Sequence, residues 1–383
     1  MTLLVPQLPE PSGYYTVGFY DGSFVCDGPD GSEEVAFRCF YPAQAVTDAP
    51  ASYYPDPQMV DMQLMMPLYQ SFAPLLGAIA EMSTHSYENA PVLENEANFP
   101  VIVYSHGYMS FHLSNLVQHE ELASRGYVIF ALSHPGDAFC TILGDGSKVG
   151  INNDAIARAT EDNIRFMQKI GKTDPDSLTL DEISDYLREC HTMTERVEAW
   201  SRHTIAAFDE IERIAGDPQS PLYKRLDTAG FGLFGHSLGG ASSLHTALLD
   251  KRVRAAANLD GWQYGAGLLD RHITTPGLVI STSDTHLPAN FQPDDPKLTH
   301  AIIPGSTHWF YCDMAVVANE VLKAVEPTIS IEGPVVSKIT NDLLNAFFDQ
   351  HVRKDANASL QTAASQHAEE LNLKLPPLYS TKS

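Results

Sequence analysis

The most constraining feature of this sequence is a five-residue turn at residues 235–239, with the sequence GHSLG. An apolar run over residues 228–234 leads into the turn, and the residues after it have a helical pattern. The glycines on either side of Ser237 permit a sharp, strained turn that raises the serine hydroxyl above the end of a strand. The local sequence therefore predicts a nucleophilic serine at a strand–helix junction.

Further apolar runs alternate with helical patterns from residue 99 onward, as expected of a chain with a buried parallel sheet. Two β-rich runs at residues 14–26 and 34–41 are separated by a turn and predict an antiparallel pair. Together with the serine turn, this order predicts the α/β class and an α/β-hydrolase fold: a mostly parallel central sheet of about eight strands, flanked by helices. The predicted parallel strands cover residues 101–105, 127–132, 228–234, 253–259, 277–280 and 299–303.

The chain is predicted to form a single domain over residues 1–352, followed by a polar, loosely docked tail at residues 353–383. Two segments of the domain interrupt the regular alternation of strands and helices. Residues 51–98 are rich in methionine and broken by prolines, and they form either part of the core or a wall of an acyl pocket. Residues 154–195 are helical and strongly charged, and they form an insertion that is either a lid or an outer helical layer.

Composition argues against several classes of partner. The chain has 48 acidic and 24 basic residues and a formal net charge of −24, whereas a nucleic-acid-binding protein needs clustered cations. Its five cysteines are scattered and form no C-x-x-C pair, which favours a reducing compartment over a disulfide framework or a zinc site. No signal peptide and no run of about 18 apolar residues is visible, so we expect a cytoplasmic protein without an integral membrane segment.

A serine nucleophile needs a base. In α/β-hydrolases the catalytic residues follow the chain order Ser–acid–His, so of the 15 histidines only those near the last strands are candidates for this base. His308 lies in a flexible loop directly after the predicted strand at residues 299–303, where it can reach the nucleophile. His351 and His367 lie on the terminal helix and in the tail, where a surface position explains them more simply. We therefore predict that His308 takes the proton of Ser237 and later delivers one to the leaving group.

The acid of the catalytic triad is open between two aspartates. Asp260 follows the predicted strand at residues 253–259, and Asp284 follows the next strand along the chain. Many α/β-hydrolases place the acid after the later strand, which favours Asp284. Either carboxylate could orient His308 and stabilise its imidazolium, and the spacing alone does not choose between them.

Two backbone N–H groups are expected to stabilise the oxyanion of the tetrahedral intermediate. One is the N–H of Leu238, directly after the nucleophile. The other is the N–H of Tyr108, in a loop where Gly107 lets the backbone turn inward. Aromatic side chains beside the predicted catalytic loops are candidates for the wall of a substrate pocket, namely Trp262 and Trp309.

At these motifs the chain resembles the plasma-type (isoform II) platelet-activating factor acetylhydrolases and their microbial relatives. The resemblance implies a calcium-independent serine hydrolase that cleaves small-molecule or lipid-like esters with short or oxidised acyl chains, and it implies no metal or organic cofactor. A small soluble or polymeric ester is an alternative substrate, because no basic or aromatic surface helix suited to lipid docking is visible. The matching segments are residues 8–13, 84–85, 90–92, 99–107, 122–128, 235–240, 259–262 and 306–308.

The same resemblance bears on the acid of the triad. In that family the acid lies in a Leu-Asp-x-Trp segment, which matches residues 259–262 of this chain. The resemblance therefore implies Asp260 rather than Asp284, and it implies that the second oxyanion donor follows the His-Gly pair, at Tyr108.

Three other functions are weighed against this serine esterase. The first is a dienelactone-hydrolase-like or polyester-hydrolase-like esterase with Asp284 as its acid. The second is a metallohydrolase that uses His106, His134 and Asp137, although no H-x-H-x-D-H or H-E-x-x-H motif supports it. The third is a non-catalytic ligand-binding protein with the same fold, against which the intact order of Ser, Asp and His argues.

Overall fold

The computed structural model describes residues 4–29, 31–94, 98–174, 177–265, 267–283, 291 and 295–376. Its strands begin near the N-terminus with a long hairpin and then alternate with helices. They are β1 (Thr16–Gly28), β2 (Gly31–Ala43), β3 (Ser86–Glu88), β4 (Phe99–Ser105), β5 (Val128–Ser133), β6 (Cys140–Ile142), β7 (Lys148–Gly150), β8 (Leu226–His236), β9 (Val253–Leu259), β10 (Gly277–Ser281), β11 (Leu298–Ile302) and β12 (Asn372–Lys374).

The central sheet has ten strands in the order β12-β11-β10-β9-β8-β4-β5-β2-β1-β3, while β6 and β7 form a separate hairpin. Every neighbouring pair from β11 to β5 is parallel, whereas β5–β2, β2–β1 and β11–β12 are antiparallel. The predicted α/β-hydrolase fold with a mostly parallel sheet is therefore confirmed. The sheet is larger than predicted because β3 and β12 are edge strands of three residues, too short to show a periodic pattern.

Helices cover both faces of the sheet. Successive side chains of a strand point to opposite faces. Along β4, Val101 and Val103 join an apolar cluster with helix α7 (His191–Gly216), while Ile102 and Tyr104 join a cluster with helix α12 (Gly333–Phe348) on the other face. The helices are α1 (Gln58–Leu64), α2 (Pro67–Gln70), α3 (Ala73–Ile79), α4 (Leu116–Ser124), α5 (Asn153–Ile170), α6 (Leu180–Glu189), α7 (His191–Gly216), α8 (Leu238–Leu249), α9 (Gly267–Asp270), α10 (Met314–Val317), α11 (Asn319–Val325), α12 (Gly333–Phe348) and α13 (Leu360–Ser365).

The charged insertion at residues 154–195 consists of α5, α6 and the start of α7. The Asn152 side chain caps α5 by accepting two backbone N–H groups, and Gly171 ends that helix with φ 69°. The Thr179 hydroxyl and the Glu182 carboxylate form a capping box that starts α6. The helical character of the insertion thus has local causes, and its function as a lid stays a prediction.

The C-terminal tail differs from its prediction as a loosely docked segment. Helix α13 contacts α12, and Leu360 and Ala364 are buried in the same cluster as α12. Strand β12 then pairs antiparallel with β11, with Lys374 opposite His300 and Asn372 opposite Ile302. The edge of a sheet offers free backbone hydrogen-bonding groups, and a short polar segment can pair there without an apolar pattern of its own.

Two further predictions concern membrane-spanning helices and disulfide bonds. Within the described ranges, no helix is both long and apolar enough to cross a membrane. All five cysteines of the sequence fall within these ranges, and each is buried and unpaired. The absence of a disulfide framework agrees with their scattered positions, and the cellular location stays a prediction.

Candidate active site

Ser237 lies at the junction of β8 and α8, with φ 55° and ψ −123°. A positive φ is uncommon for a residue with a Cβ atom, and such strain is concentrated at functional sites. The turn also needs its glycines: a Cβ atom at Gly235 would lie 2.3 Å from the carbonyl carbon of Gly239, and one at Gly239 would lie 2.0 Å from the Ser105 oxygen. The N–H of Ser237 donates to the carbonyl of Leu259 over 2.8 Å, which ties the turn to the end of β9.

Gly239→Ala is expected to disturb this turn. Because the new methyl group meets backbone atoms, β4 and α8 must move apart, and we expect the free energy of unfolding to fall by about 3 kcal/mol. A displacement of the nucleophile by about 1 Å should lower kcat on the order of 100-fold. Gly77→Ala in α3 is the matched control, because a Cβ there meets no atom within 4 Å. Urea unfolding and ester turnover of both variants test this, and a fully active Gly239→Ala enzyme would contradict it.

His308 and Asp260 meet across the end of the sheet. His308 begins a short 3₁₀ turn, and its Nδ1 lies 2.7 Å from Asp260 Oδ2. The second oxygen of Asp260 accepts the N–H of Thr282 over 3.1 Å, and the N–H of Asp260 donates to the Ile280 carbonyl over 2.8 Å. The carboxylate is thereby oriented from both sides. The other candidate acid, Asp284, lies outside the described residues.

His236 supports His308 from within the GHSLG turn. Its Nε2–H donates to the backbone carbonyl of His308 over 3.0 Å, and the two ring centroids are 4.6 Å apart. Burial, reinforced by the nearby His308, lowers the pKa of His236 well below its usual range, so this ring is neutral. Sequence reasoning missed this contact because the second position of a G-x-S-x-G motif carries no required side chain.

The loop after β4 lies directly against the nucleophile. A Cβ atom at Gly107 would lie only 3.1 Å from His236 Nδ1 and 3.4 Å from Ser237 Cβ, so the glycine permits the close approach of this loop to the GHSLG turn. Tyr108 follows it, and the next residue, Met109, has φ 63°. Leu238 is the first residue of α8, where backbone N–H groups lack intrahelical partners and favour negative charge. Both predicted oxyanion donors therefore border the same space.

A cavity of about 550 Å³ opens beside Ser237, within the usual size range of small-molecule sites. Every site residue selected from the sequence lines it: Ser237, Asp260, His308, Tyr108, Leu238, Trp262 and Trp309. Within the described part of the insertion at residues 154–195, Met193 alone contributes to this lining. The structure thus brings together residues that lie up to 201 positions apart, from Tyr108 to Trp309.

The Met-rich segment contributes both to the core and to the lining of the cavity beside Ser237, while its function as the wall of an acyl pocket stays a prediction. Met59, Met66 and Leu75 are buried in the main apolar core. Other side chains of the segment form one wall of the cavity, and most of these are aromatic or polar rather than methionine: Tyr53, Tyr54, Gln63, Tyr69, Leu76 and Ile79. Two of these tyrosines pack against aromatic rings outside the segment. The ring centroids of Tyr54 and Phe111 are 5.7 Å apart in a stacked pair, and those of Tyr69 and Trp309 are 6.3 Å apart in an edge-on pair.

The residues considered for a metallohydrolase have other partners. His106 Nδ1 lies 2.7 Å from the Gly107 carbonyl, a contact within its own loop. His134 Nδ1 lies 2.9 Å from the ring of His203, and Asp137 accepts the indole N–H of Trp200 over 2.7 Å. In the part of the chain that the structure describes, no group of three or more His, Cys, Asp or Glu side chains is arranged to hold a metal ion.

Comparison with known proteins gives a consistent result. The family model described as platelet-activating factor acetylhydrolase, isoform II, matches residues 5–371. The chain belongs to this family. Platelet-activating factor acetylhydrolases from Cavia porcellus and Canis lupus familiaris are 23% and 24% identical to it, over 91% of this chain and 79% and 78% of their own lengths. Membership of the family makes the chain a carboxylic ester hydrolase.

A solved structure shows the same fold. Ferulic acid esterase from Streptomyces cinnamoneus superposes with a TM-score of 0.66, covering 96% of this chain and 99% of its own, at 19% sequence identity. At this identity the likeness concerns the architecture of the chain and not its substrate.

Proposed function

We propose that this chain hydrolyses carboxylic esters with Ser237 as nucleophile, His308 as general base and Asp260 as the acid that orients His308. The observation that carries the proposal is the 2.7 Å contact between His308 Nδ1 and Asp260 Oδ2, in the cavity that also contains the strained serine. With its Nδ1–H held by Asp260, the imidazole presents an unprotonated Nε2 that can accept the proton of Ser237.

The reaction proceeds in two halves. Ser237 Oγ attacks the ester carbonyl while His308 takes its proton, and the N–H groups of Leu238 and Tyr108 stabilise the resulting oxyanion. His308 then protonates the leaving alcohol, and the acyl group stays on Ser237. Water, deprotonated by His308, attacks this acyl-enzyme; the bond to Ser237 Oγ then breaks, His308 returns the proton to Ser237, and the carboxylic acid is released. This scheme uses no metal or organic cofactor.

We propose esters with short acyl chains, including lipid-like esters, as the substrate class. The curated relatives are named acetylhydrolases, which supports a small acyl site. The cavity of about 550 Å³ must hold both the acyl and the alcohol part of an ester, so a small acyl site leaves most of the space to the alcohol.

A series of p-nitrophenyl esters from acetyl to decanoyl tests the acyl length. We expect kcat/KM to fall steeply beyond butyryl, because each methylene that the acyl site cannot hold costs about 1–3 kcal/mol of transition-state binding. The measurement is the initial rate below KM for each ester, with the spontaneous hydrolysis rate subtracted. A maximum at octanoyl or decanoyl would contradict a short-acyl esterase.

The lining of the cavity favours an aromatic ester as a second candidate. Its wall carries several aromatic rings beside the catalytic groups, among them Trp262 and Trp309. Flat rings stack on such side chains. Methyl hydroxycinnamate and methyl butyrate, compared as kcat/KM, distinguish the two candidates: a higher value for the aromatic ester favours the second.

A further inference from the structure

The carboxylate of Asp313 caps a helix to which it is not adjacent in the sequence. Its Oδ2 accepts the N–H of Leu116 over 2.9 Å, and its Oδ1 accepts the N–H of Val117 over 3.1 Å, both at the start of α4. The residue at the N-cap position of α4, Asn115, makes no side-chain capping bond. A carboxylate at a helix N-terminus satisfies unpaired N–H groups and interacts favourably with the helix dipole.

Two further hydrogen bonds join the same two segments. The N–H of Asp313 donates to the Ser114 carbonyl over 2.7 Å, and the side-chain amide of Asn115 donates to the Tyr311 carbonyl over 2.7 Å. Residues 311–313 are thus bound at four points to residues 114–117. The side chains of Asp313 and Asn115 are buried, so water does not compete for these bonds.

Each segment leads directly to a group that the proposed reaction needs. The 3₁₀ turn that ends at Tyr311 begins with His308, and the segment that leads into Leu116 begins with the oxyanion loop of Tyr108. The same carboxylate also accepts the hydroxyl of Tyr53 over 3.0 Å, from the cavity wall formed by the Met-rich segment. Asp313 therefore lies where the base loop, the oxyanion loop and the cavity wall meet.

A buried carboxyl group at this junction is costly unless it is fully hydrogen-bonded. Burial raises the pKa of Asp313, while the N–H groups of Val117 and Leu116 and the Tyr53 hydroxyl act in the opposite direction and favour the ionised carboxylate. Glu120, the other buried carboxyl nearby, contributes to the increase. An apolar side chain would avoid this cost, but it would leave the two N–H groups of α4 unpaired.

We propose that Asp313 is a positioning residue, which holds the loop of His308 and the loop of Tyr108 in the mutual geometry that the reaction requires. This inference rests on the proposed function of Ser237, His308 and Tyr108. Asp313 acts through these residues, and its contribution is to the turnover of bound ester rather than to the binding of ester.

Two substitutions test the proposal. Asp313→Asn keeps one acceptor oxygen but turns an NH2 group toward a backbone N–H, so both loops should shift. We expect kcat to fall on the order of 10- to 100-fold with little change in KM, since displacements of about 1 Å have such effects. Tyr53→Phe leaves both helix N–H bonds in place and should lower kcat by a smaller factor. The rate of organophosphate labelling of Ser237 should fall in parallel, because it reports the activated nucleophile with a small reagent.

The Tyr127–Asp349 pair supplies matched controls. The Tyr127 hydroxyl donates to Asp349 Oδ1 over 2.7 Å, outside the residues that line the cavity, so Asp349→Asn and Tyr127→Phe should leave kcat unchanged. Melting temperatures and circular dichroism give the folded fraction of every variant. The proposal is overturned if kcat per folded Asp313→Asn molecule equals that of wild type, or if the loss lies in KM and grows with ester size. Full activity of Ser237→Ala would instead overturn the proposed function.

Discussion

Ser237→Ala is expected to lower kcat for ester hydrolysis by on the order of 10⁴- to 10⁶-fold. The variant loses the nucleophile that forms the acyl-enzyme, so only the oxyanion donors and substrate positioning remain. The substitution removes only the hydroxyl oxygen, beside an open cavity, so the fold should be retained. Burst kinetics with a p-nitrophenyl ester measure the effect, because wild type should release one equivalent of p-nitrophenol rapidly and the variant none.

Ser243→Ala is the matched control for this substitution. Ser243 lies on the same helix, α8, and its buried hydroxyl donates to the Gly239 carbonyl over 2.8 Å without reaching the cavity. Its loss should leave the burst intact. A stoichiometric organophosphate label should appear on Ser237 in wild type and in Ser243→Ala but not in Ser237→Ala. If Ser237→Ala keeps the burst, the nucleophile has been assigned to the wrong residue.

Replacing the acid of the same triad, Asp260, by asparagine should also lower kcat, because the hydrogen bonds of Asp260 fix the orientation of the new amide. In Asp260→Asn the N–H of Thr282 keeps the amide oxygen on its side, so the NH2 group must face His308 Nδ1. His308 then carries its proton on Nε2, where it cannot accept the proton of Ser237. We expect kcat to fall on the order of 10⁴-fold. Asp284→Asn should change kcat little, and the reverse result would make Asp284 the acid.

The elements that carry this site could be predicted from the sequence because they are buried on both faces. A strand covered by helices on both sides is a continuous apolar run, and β9 was predicted with the bounds Val253–Leu259 that the structure has. The nucleophile has a short-range signature in its glycines. His308 follows from its place after the last parallel strand, since carboxyl ends of parallel strands meet at one edge of the sheet.

The remaining features depend on contacts that leave no local pattern. Asp313 meets the start of α4 from about two hundred residues away, and nothing around either segment indicates the partner. Spacing could not choose between Asp260 and Asp284, because both follow strand ends, and only the family resemblance favoured Asp260. In the Met-rich segment, irregular helices give no period, so the side chains that face the cavity, such as Tyr53 and Tyr69, could not be separated from those in the core.

A second large effect is expected from mild acid, which should strongly destabilise the folded protein below about pH 6. Burial lowers the pKa of several histidines, to about 4 for His106 and about 3 for His112. These rings stay neutral in the folded state but take up protons below about pH 6.5 in the unfolded state. The unfolded state then binds more protons, so the free energy of unfolding falls as the pH falls. The buried histidines of this kind are His106, His112, His119, His134 and His236.

Two buried carboxyl groups oppose this trend. Burial raises the pKa of Glu120, so this group holds a proton in the folded state that it loses on unfolding. Burial also raises the pKa of Asp313, although the three donors on its oxygens favour the ionised form. The histidines outnumber these carboxyl groups, so unfolding takes up protons on balance between about pH 4.5 and 6.5, and each proton taken up contributes about 1.4 kcal/mol per pH unit. Domains are stable by about 5–15 kcal/mol, so the loss of stability over one to two pH units below about 6.5 is a large part of the total. Urea unfolding followed by circular dichroism at pH 8, 7, 6 and 5.5 gives the slope.

His119→Phe isolates one histidine of this set. The imidazole is buried among Phe40, Tyr104 and Phe234, and neither of its nitrogens has a hydrogen-bond partner among the described residues. A phenyl ring should fill this space without titrating, so the slope below pH 6.5 should decrease by about 1.4 kcal/mol per pH unit while stability at pH 8 is kept or raised. Phe234→Leu is the control, because a cavity in the same cluster lowers stability equally at every pH. A slope that His119→Phe leaves unchanged would show that His119 does not contribute to the acid transition.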